Sequence, residues 1–205
     1  MTSIFDDINR SSVPIGLSIL AVFSIILIIE FVDHNQAFGL FHENPIIPIA
    51  VESDFLTYDD LITGFSMKYP QDWERAQHLD KSVTFHAPRE SNSDINPADL
   101  GIMVIQVGSN TTLASITQTQ LDTLEKLYPD FQIQESVESV FLGHPAHMII
   151  FTATDNTQTM RKAMQIWFKE DTKAYLVTYK SDNERFSKYL STIDRMLNTF
   201  YTYKN

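Results

Sequence analysis

The chain contains no cysteine among its 205 residues. This absence excludes disulfide bridges, thiolate metal sites and cysteine nucleophiles. A domain without disulfides must be held together by its apolar core alone. About 150 residues is enough to bury one such core, so we expect the C-terminal part of the chain to form a single domain.

Glycine is also scarce. The six glycines do not cluster into a phosphate-binding loop. The chain also lacks the Gly-x-Ser-x-Gly nucleophile elbow, the Ser-x-x-Lys motif with its partner motifs, and the His-Glu-x-x-His zinc helix. The sequence therefore predicts a protein that is not an enzyme and that holds no cofactor.

Basic residues are outnumbered by acidic ones. The chain has 15 lysines and arginines against 26 aspartates and glutamates, which gives a formal net charge of −11. A negative domain repels phosphate backbones. We therefore expect no nucleic acid among the partners of this protein.

One long apolar run is present near the N-terminus, at residues 13–32, and its only charged residue is Glu30 near the end. A bilayer core of about 30 Å needs roughly 20 apolar residues in helical form. The run therefore predicts one transmembrane helix that contacts the lipid bilayer. It divides the chain into a short N-terminus (1–12), the helix (13–32), a linker (33–53) interrupted by Pro45 and Pro48, and a domain (54–205).

A cleaved signal peptide is the alternative interpretation of the same run. Signal peptides have a basic start, an apolar core of about 7–15 residues and a small-residue cleavage site. Here Asp6 and Asp7 accompany the single Arg10, the apolar core is longer, and no Ala-x-Ala site follows. These departures favour an anchor that remains in the mature protein.

The distribution of basic residues predicts the orientation of the anchor. Arg10 is the only basic residue before the run, and the next one is Lys68. Lysine and arginine near the ends of a span favour the cytoplasmic side. We therefore expect a single-pass protein of the cell membrane, with its N-terminus inside and residues 54–205 outside the cytoplasm, beside a membrane-protein partner that the sequence does not identify.

The remainder of the chain alternates in the way typical of short strands and two amphipathic helices. Thr111 or Thr112 can cap the first helix, and Ser181 with Glu184 forms a possible capping box before the second. An antiparallel sheet with helices packed on it belongs to the α+β class. The expected strands are 65–69, 83–87, 101–107, 131–141, 146–154, 160–169 and 174–180, and the expected helices are 112–127 and 186–200.

Two features are candidate sites. His144 and His147 flank Pro145 and Ala146 at an expected turn, where both rings could reach one metal ion. Residues three apart on a regular strand would instead point to opposite faces, and solvated turn histidines are the alternative. Asn110 begins an Asn-Thr-Thr triplet, which is the acceptor sequence for N-glycosylation.

An ordered set of motifs runs through the C-terminal domain. The motifs are Gly64-Phe-Ser-Met-Lys-Tyr-Pro-Gln-Asp-Trp73, Phe141-Leu-Gly-His-Pro-Ala146, Gln165-Ile-Trp-Phe168, Tyr175-Leu-Val-Thr-Tyr179, and then Phe186, Tyr189, Leu190 and Phe200. This set resembles the PsbP-like domain family, in particular its membrane-anchored prokaryotic and archaeal members. The resemblance implies an α-β-α sandwich around an antiparallel sheet, and a binding or accessory role without catalysis. Trp73 and Tyr69 are expected to fill the core.

Two functions remain open at this point. The first is a non-catalytic accessory protein of a membrane complex, held beside its partner by the helix at 13–32. The second is a module at the outer membrane surface that binds a metal ion or a small ligand.

Overall fold

A computed structural model describes residues 54–203 of the chain. The predicted N-terminus (1–12), transmembrane helix (13–32) and linker (33–53) lie outside the described residues.

Neither helix in residues 54–203 has the length and apolar character that crossing a membrane requires.

The described residues form ten strands and two helices. In chain order they are β1 (Phe55–Asp60), β2 (Phe65–Pro70), β3 (Glu74–Gln77), β4 (Val83–His86), β5 (Asp99–Gln106), α1 (Leu113–Leu127), β6 (Gln132–Phe141), β7 (His144–Thr154), β8 (Met160–Glu170), β9 (Lys173–Asp182), α2 (Phe186–Leu197) and β10 (Tyr201–Thr202). Seven strands form a large antiparallel sheet in the order β3-β4-β5-β9-β8-β7-β6. A smaller antiparallel sheet has the order β1-β2-β10.

Helix α1 packs on one face of the large sheet. Thr112 caps it by accepting a hydrogen bond from the backbone N–H of Ser115, and the Ser115 hydroxyl accepts the Thr112 N–H in return. Its buried residues Ile116 and Leu124 join a core cluster with Trp167. The expected cap at Thr112 is confirmed, and the helix covers the β7 and β8 side of this face.

Helix α2 packs on the opposite face. The Tyr179 hydroxyl donates a hydrogen bond to the backbone oxygen of Phe186 at 2.7 Å. Leu176 lies directly across from Trp167 and shares its α1-facing cluster. Tyr179, three residues further along β9, therefore points to the other face. The large sheet thus has a helix on each face, and the predicted central antiparallel sheet is confirmed.

An aromatic core joins the small sheet, the large sheet and the end of α2. The rings of Phe65 and Phe200 stack with their centroids 5.2 Å apart, and Phe200 also contacts Phe168 and Tyr175 edge-on. Trp73 is buried and contacts Tyr189 of α2 edge-on. Tyr69 is also buried, against Phe85. The core positions predicted for Trp73 and Tyr69 are therefore confirmed.

The predicted capping box at Ser181 and Glu184 is wrong. Strand β9 continues to Asp182, and Ser181 pairs with Lys162 in the ladder and is fully buried. Arg185 is the residue that precedes α2, and its side chain caps nothing. Instead its guanidinium binds Asp182. Strand pairing therefore continues through Ser181, the residue that the sequence pattern predicts as a helix cap.

Candidate functional site

The two predicted metal-ligand histidines both lie on β7, and the turn before them is formed by Leu142 and Gly143. Both turn residues have positive φ values, 53° and 79°. The predicted turn position of His144 and His147 is therefore wrong, because the two-residue turn ends one residue earlier and strand pairing begins at His144.

The rings of the two histidines stack on neighbouring aromatic residues of β8. His144 stacks on Phe168 at 5.7 Å, and His147 stacks on Trp167 at 5.1 Å. Consecutive residues of a strand point to opposite faces of the sheet. The structure therefore does not bring the two imidazoles together. Within residues 54–203 there is also no cluster of three or more histidine, aspartate or glutamate side chains that could hold a metal ion.

Each histidine has a polar contact of its own. His144 Nε2 lies 3.5 Å from Glu170 Oε1, and His147 Nε2 lies 2.9 Å from Ser136 Oγ. Burial lowers the pKa of His147, and the Glu138 carboxylate acts in the opposite direction. Both rings are thus packed against the sheet.

Asn110 lies in the exposed turn before α1. The hydroxyl of Thr112, the third residue of the triplet, is the oxygen that caps the helix. Glycosylation at Asn110 remains a prediction.

A different part of the domain gathers charged side chains. Ion pairs with nitrogen–oxygen separations of 2.5 to 3.9 Å form one connected network at the end of the large sheet where β4 and β9 finish and β5 and β8 begin. Its members are five carboxylates and four cations, namely Glu90, Asp94, Asp99, Asp155, Asp182, Arg161, Lys180, Arg185 and Lys188. Counted with every group ionised, the network carries one negative charge more than it carries positive charges.

Arg161 is the buried centre of this network, with 5% of its surface exposed. Its guanidinium donates hydrogen bonds to the backbone oxygens of Asn96 and Pro97 at 3.2 and 3.1 Å. Asp155 and Asp182 each lie 3.9 Å from one of its nitrogens. Arg161 therefore ties the loop between β4 and β5 to the start of β8.

Arg185 fixes the same loop from the other side. It makes two hydrogen bonds to the carboxylate of Asp94, at 2.7 and 3.1 Å, and a third to the backbone oxygen of Asn96 at 3.2 Å. Hydrogen bonds to Asp94 and Asp182 raise the pKa of Arg185 above its already high ordinary value. The amide of Asn96 adds a hydrogen bond to Thr157 at 2.8 Å. The loop of residues 87–98 is consequently held by an ion pair, by charge-assisted hydrogen bonds to its carbonyls and by one neutral hydrogen bond.

Asp99 lies beside this loop at the start of β5. Only 6% of its surface is exposed, and its register neighbours are His86 on β4 and Lys180 on β9. Lys180 Nζ is 3.7 Å from Oδ1, and an Arg161 nitrogen is 3.9 Å from Oδ2. Burial raises the pKa of Asp99 to about 6, although Lys180 and Arg161 act to lower it. Burial, followed by the charge of Lys180, lowers the pKa of His86.

The network borders two clefts that share Ile95 and Asn96 in their walls. The smaller, of about 350 Å³, contains Asp94 and Arg185. The larger, of about 690 Å³, has Asp99, Arg161 and Lys180 among its lining residues. Ile95 on the loop is 70% exposed, and Leu127 at the end of α1, which lines the larger cleft, is 63% exposed. This site combines an apolar rim with a charged, buried interior.

The polar groups of the site hold a loop in place. The donors of Arg161 and Arg185 are directed at loop carbonyls and carboxylates, so they shape the loop that carries Ile95. Sequence reasoning did not find this site. Its one sequence signal is a charged residue within the first two positions of a strand whose middle is largely apolar, as at Asp99 and Arg161.

Comparison with known proteins agrees with the fold. Comparison with curated proteins gives no match. The domain is similar to the solved structures of cyanobacterial PsbP (CyanoP) from Synechocystis sp. PCC 6803, with a TM-score of 0.57, 15% identity, and coverage of 79% of this chain and 98% of that one. It is also similar to LpqN of Mycobacterium tuberculosis, with a TM-score of 0.53, 10% identity, and coverage of 73% of this chain and 92% of that one. The Ran-binding protein Mog1p of Saccharomyces cerevisiae is similar too, with a TM-score of 0.52, 7% identity, and coverage of 72% of this chain and 95% of that one. The model of the PsbP-like protein family matches residues 18–202, and the chain therefore belongs to that family.

Proposed function

We propose that this protein is a non-catalytic, membrane-anchored accessory protein whose domain, residues 54–205, binds a membrane-protein partner outside the cytoplasm. The observation that carries the proposal is Ile95, an exposed apolar side chain on a loop that Arg161 and Arg185 hold in place. The partner surface is the rim formed by Ile95 and Leu127, together with the larger cleft between them.

A fixed loop is well suited to binding. Association costs free energy for every side chain and loop that becomes ordered in the complex. The contacts of Asp94 and Asn96 order this loop before a partner arrives. Binding energy commonly comes from a few well-packed anchors, and Ile95 has the exposure of such an anchor.

The anchor at residues 13–32 supports the location of this function. A tether confines the domain to the membrane surface and raises its effective concentration beside a neighbouring membrane protein. The single Arg10 before the run supports an external domain. Two structural neighbours support a binding or accessory role, since one is named as a Ran-binding protein and the other as involved in cell envelope biogenesis.

A module for a small ligand is the second candidate. The larger cleft, about 690 Å³ in volume, lies within the usual size range of small-molecule sites, which is about 300–1,000 Å³. It would accept such a ligand through the polar groups of Asp99, Lys180 and Asn156.

Purification of the full-length protein in a gentle detergent, followed by mass spectrometry of its companions, tests the first candidate. Ile95→Asp should lose a stoichiometric membrane subunit that the unaltered protein retains. Leu79→Asp is the matched control, because Leu79 is fully exposed on the turn between β3 and β4 and lies outside both clefts. Equal recovery of the subunit with both variants would overturn the proposed docking surface.

A further inference from the structure

We propose that the larger cleft receives an arginine side chain of the protein partner, and that this guanidinium pairs with the carboxylate of Asp99. The inference rests on the proposed function, because it states the chemistry of the partner at the same site. It follows from the contacts of Asp99, from the charge of the network and from the exposure of Lys180.

Asp99 is a buried carboxylate with weak pairing. Among the described residues, its cationic neighbours Lys180 and Arg161 approach its two oxygens only to 3.7 and 3.9 Å, which is longer than a hydrogen bond. A buried carboxylate is costly when its counter-charges stay at such distances. A planar guanidinium offers two parallel N–H donors, one for each oxygen of a carboxylate. The carboxylate of Asp99 therefore suits the guanidinium of an arginine better than the single ammonium group of a lysine.

The charge of the network agrees with a cationic guest. Apart from Asp99, the network has four carboxylates, and their number equals that of the four cations Arg161, Arg185, Lys180 and Lys188. Three of these four carboxylates lie closer to a cation than Asp99 does. Asp94 has the bidentate contact with Arg185, Glu90 binds Lys188 at 2.8 Å, and Asp182 also binds Arg185. The excess negative charge is thus associated with the cleft. One added cation would neutralise the network.

Lys180 is the group that the guest would displace. Its side chain is 49% exposed, whereas those of Asp99 and Arg161 are 9% and 6% exposed. Lysine is a flexible, strongly hydrated point charge, so it can move into solvent at small cost while Arg161 stays fixed by Asn96 and Pro97. Ile95 and Leu127 then lie where they can contact the apolar stem of the incoming side chain.

The pH dependence of binding follows from the same groups. The groups that face Asp99 are Lys180 on β9, Arg161 on β8, His86 on β4 and Asp155 in the loop after β7. The pKa of Asp99 is raised to about 6, so its carboxylate becomes ionised as the pH rises through that value. Binding of a guanidinium should therefore strengthen between pH 5 and pH 7.5. Protonation of His86 at the acidic end would add repulsion and act in the same direction.

Saturation-transfer NMR on the full-length protein in detergent tests the inference without the partner. The probe is N-acetyl-arginine amide, and N-acetyl-citrulline amide is its neutral isostere. We expect saturable binding of the arginine probe alone, at millimolar concentration or below. Asp99→Asn should weaken it about tenfold or more, as expected for loss of a charge-assisted contact. Asp122→Asn, an exposed aspartate on α1 outside both clefts, should leave it unchanged.

Lys180→Gln provides a second variant at an exposed position. It should strengthen binding of the arginine probe, whereas Lys188→Gln, which removes a cation paired with Glu90, should not. Equal binding of the citrulline probe, or wild-type affinity of Asp99→Asn, would overturn the inference. Preferential binding of N-acetyl-glutamate amide would do the same, because it would identify Lys180 as the recognition group.

These results separate the inference from the proposed function. If the arginine probe fails to bind while recovery of the subunit still depends on Ile95, only the arginine site is wrong. If the probe binds at Asp99 but subunit recovery ignores Ile95→Asp, the cleft recognises a cation and the docking surface lies elsewhere.

Discussion

Arg185 and Asp94 form a two-pronged ion pair, with nitrogen–oxygen distances of 2.7 and 3.1 Å, across 91 residues of sequence. The pair joins the residue that precedes α2 to the middle of the loop between β4 and β5. Hydrogen bonds from Arg185 lower the pKa of Asp94, and they outweigh burial, which acts to raise it. The loop and the helix start are therefore one electrostatic unit.

Removal of this arginine should loosen the loop. Arg185→Ala removes the cationic donor that Asp94 and Asp182 share, and it leaves the Asn96 carbonyl with Arg161 as its one remaining guanidinium donor. We therefore expect a loss of about 2–3 kcal/mol in the free energy of unfolding. Hydrogen exchange should become faster at the Asp94 amide, which donates to the Ser91 oxygen in the native loop. Lys188→Ala is the control, because this exposed lysine should change stability by less than about 0.5 kcal/mol. Unchanged exchange at Asp94 would show that other contacts hold the loop.

The described domain should fold without the rest of the chain. Two helices and two sheets enclose an aromatic and aliphatic core, and no disulfide is present. A fragment of residues 54–205 should unfold in one cooperative transition, followed by circular dichroism in urea. EDTA should leave the midpoint unchanged. A large shift with EDTA would reveal a metal site, with His144 and His147 the first residues to test.

Much of the fold was predictable because its strands are long and apolar. Strands β7, β8 and β9 are buried on both faces, and such runs stand out in the sequence. Strand β3 was missed because Glu74–Gln77 is an exposed edge segment with no apolar period. Strand β10 has only two residues and forms through its pairing with β2.

The site could not be predicted for a different reason. Asp99 and Lys180 are adjacent because β5 and β9 pair in one register, and that register depends on the whole ladder. A register shift of one residue would place the two side chains on opposite faces of the sheet. His144 and His147 were close in sequence, and strand geometry separated them. Sequence spacing identifies a site within one element, whereas this cleft is assembled from several.

The aromatic contacts of the core have measurable energies. Trp73→Ala should cost about 3–5 kcal/mol, the usual range for removal of a large buried ring. Thr117→Val should cost about 1–3 kcal/mol, because the buried indole N–H of Trp167 donates to this hydroxyl at 2.8 Å. Thr119→Val is the matched control on the exposed face of α1. Urea unfolding of the 54–205 fragment measures all three. A Trp73→Ala domain of normal stability would contradict its assignment to the core.

The absence of cysteine allows a direct test of topology. Leu79→Cys introduces one thiol at a fully exposed position of the domain, and Ser3→Cys introduces one before the predicted helix. A membrane-impermeant maleimide should label the first in intact cells and the second only after lysis. The opposite pattern would reverse the orientation. N-terminal sequencing that begins near residue 38 would instead show that the apolar run is cleaved.

Asp99 should make the stability of the domain depend on pH. Its folded-state pKa, about 6, lies above the ordinary value of 3.8, so the folded state holds the proton more tightly than the unfolded state. Protonation therefore favours folding, and this contribution is lost as the pH rises through about 6. Asp99→Asn cannot ionise, so it should be more stable than the unaltered fragment by about 1–2 kcal/mol at pH 7.5. The difference should shrink towards pH 4.5. Urea unfolding at four or five pH values measures both curves, and Asp122→Asn supplies the parallel control. The opposite result would be an Asp99→Asn fragment whose stability, relative to the unaltered fragment, is lower at pH 7.5 than at pH 4.5. Lys180 and Arg161 would then stabilise the ionised carboxylate of Asp99 more than burial destabilises it. In that case the carboxylate would already be satisfied without a guest.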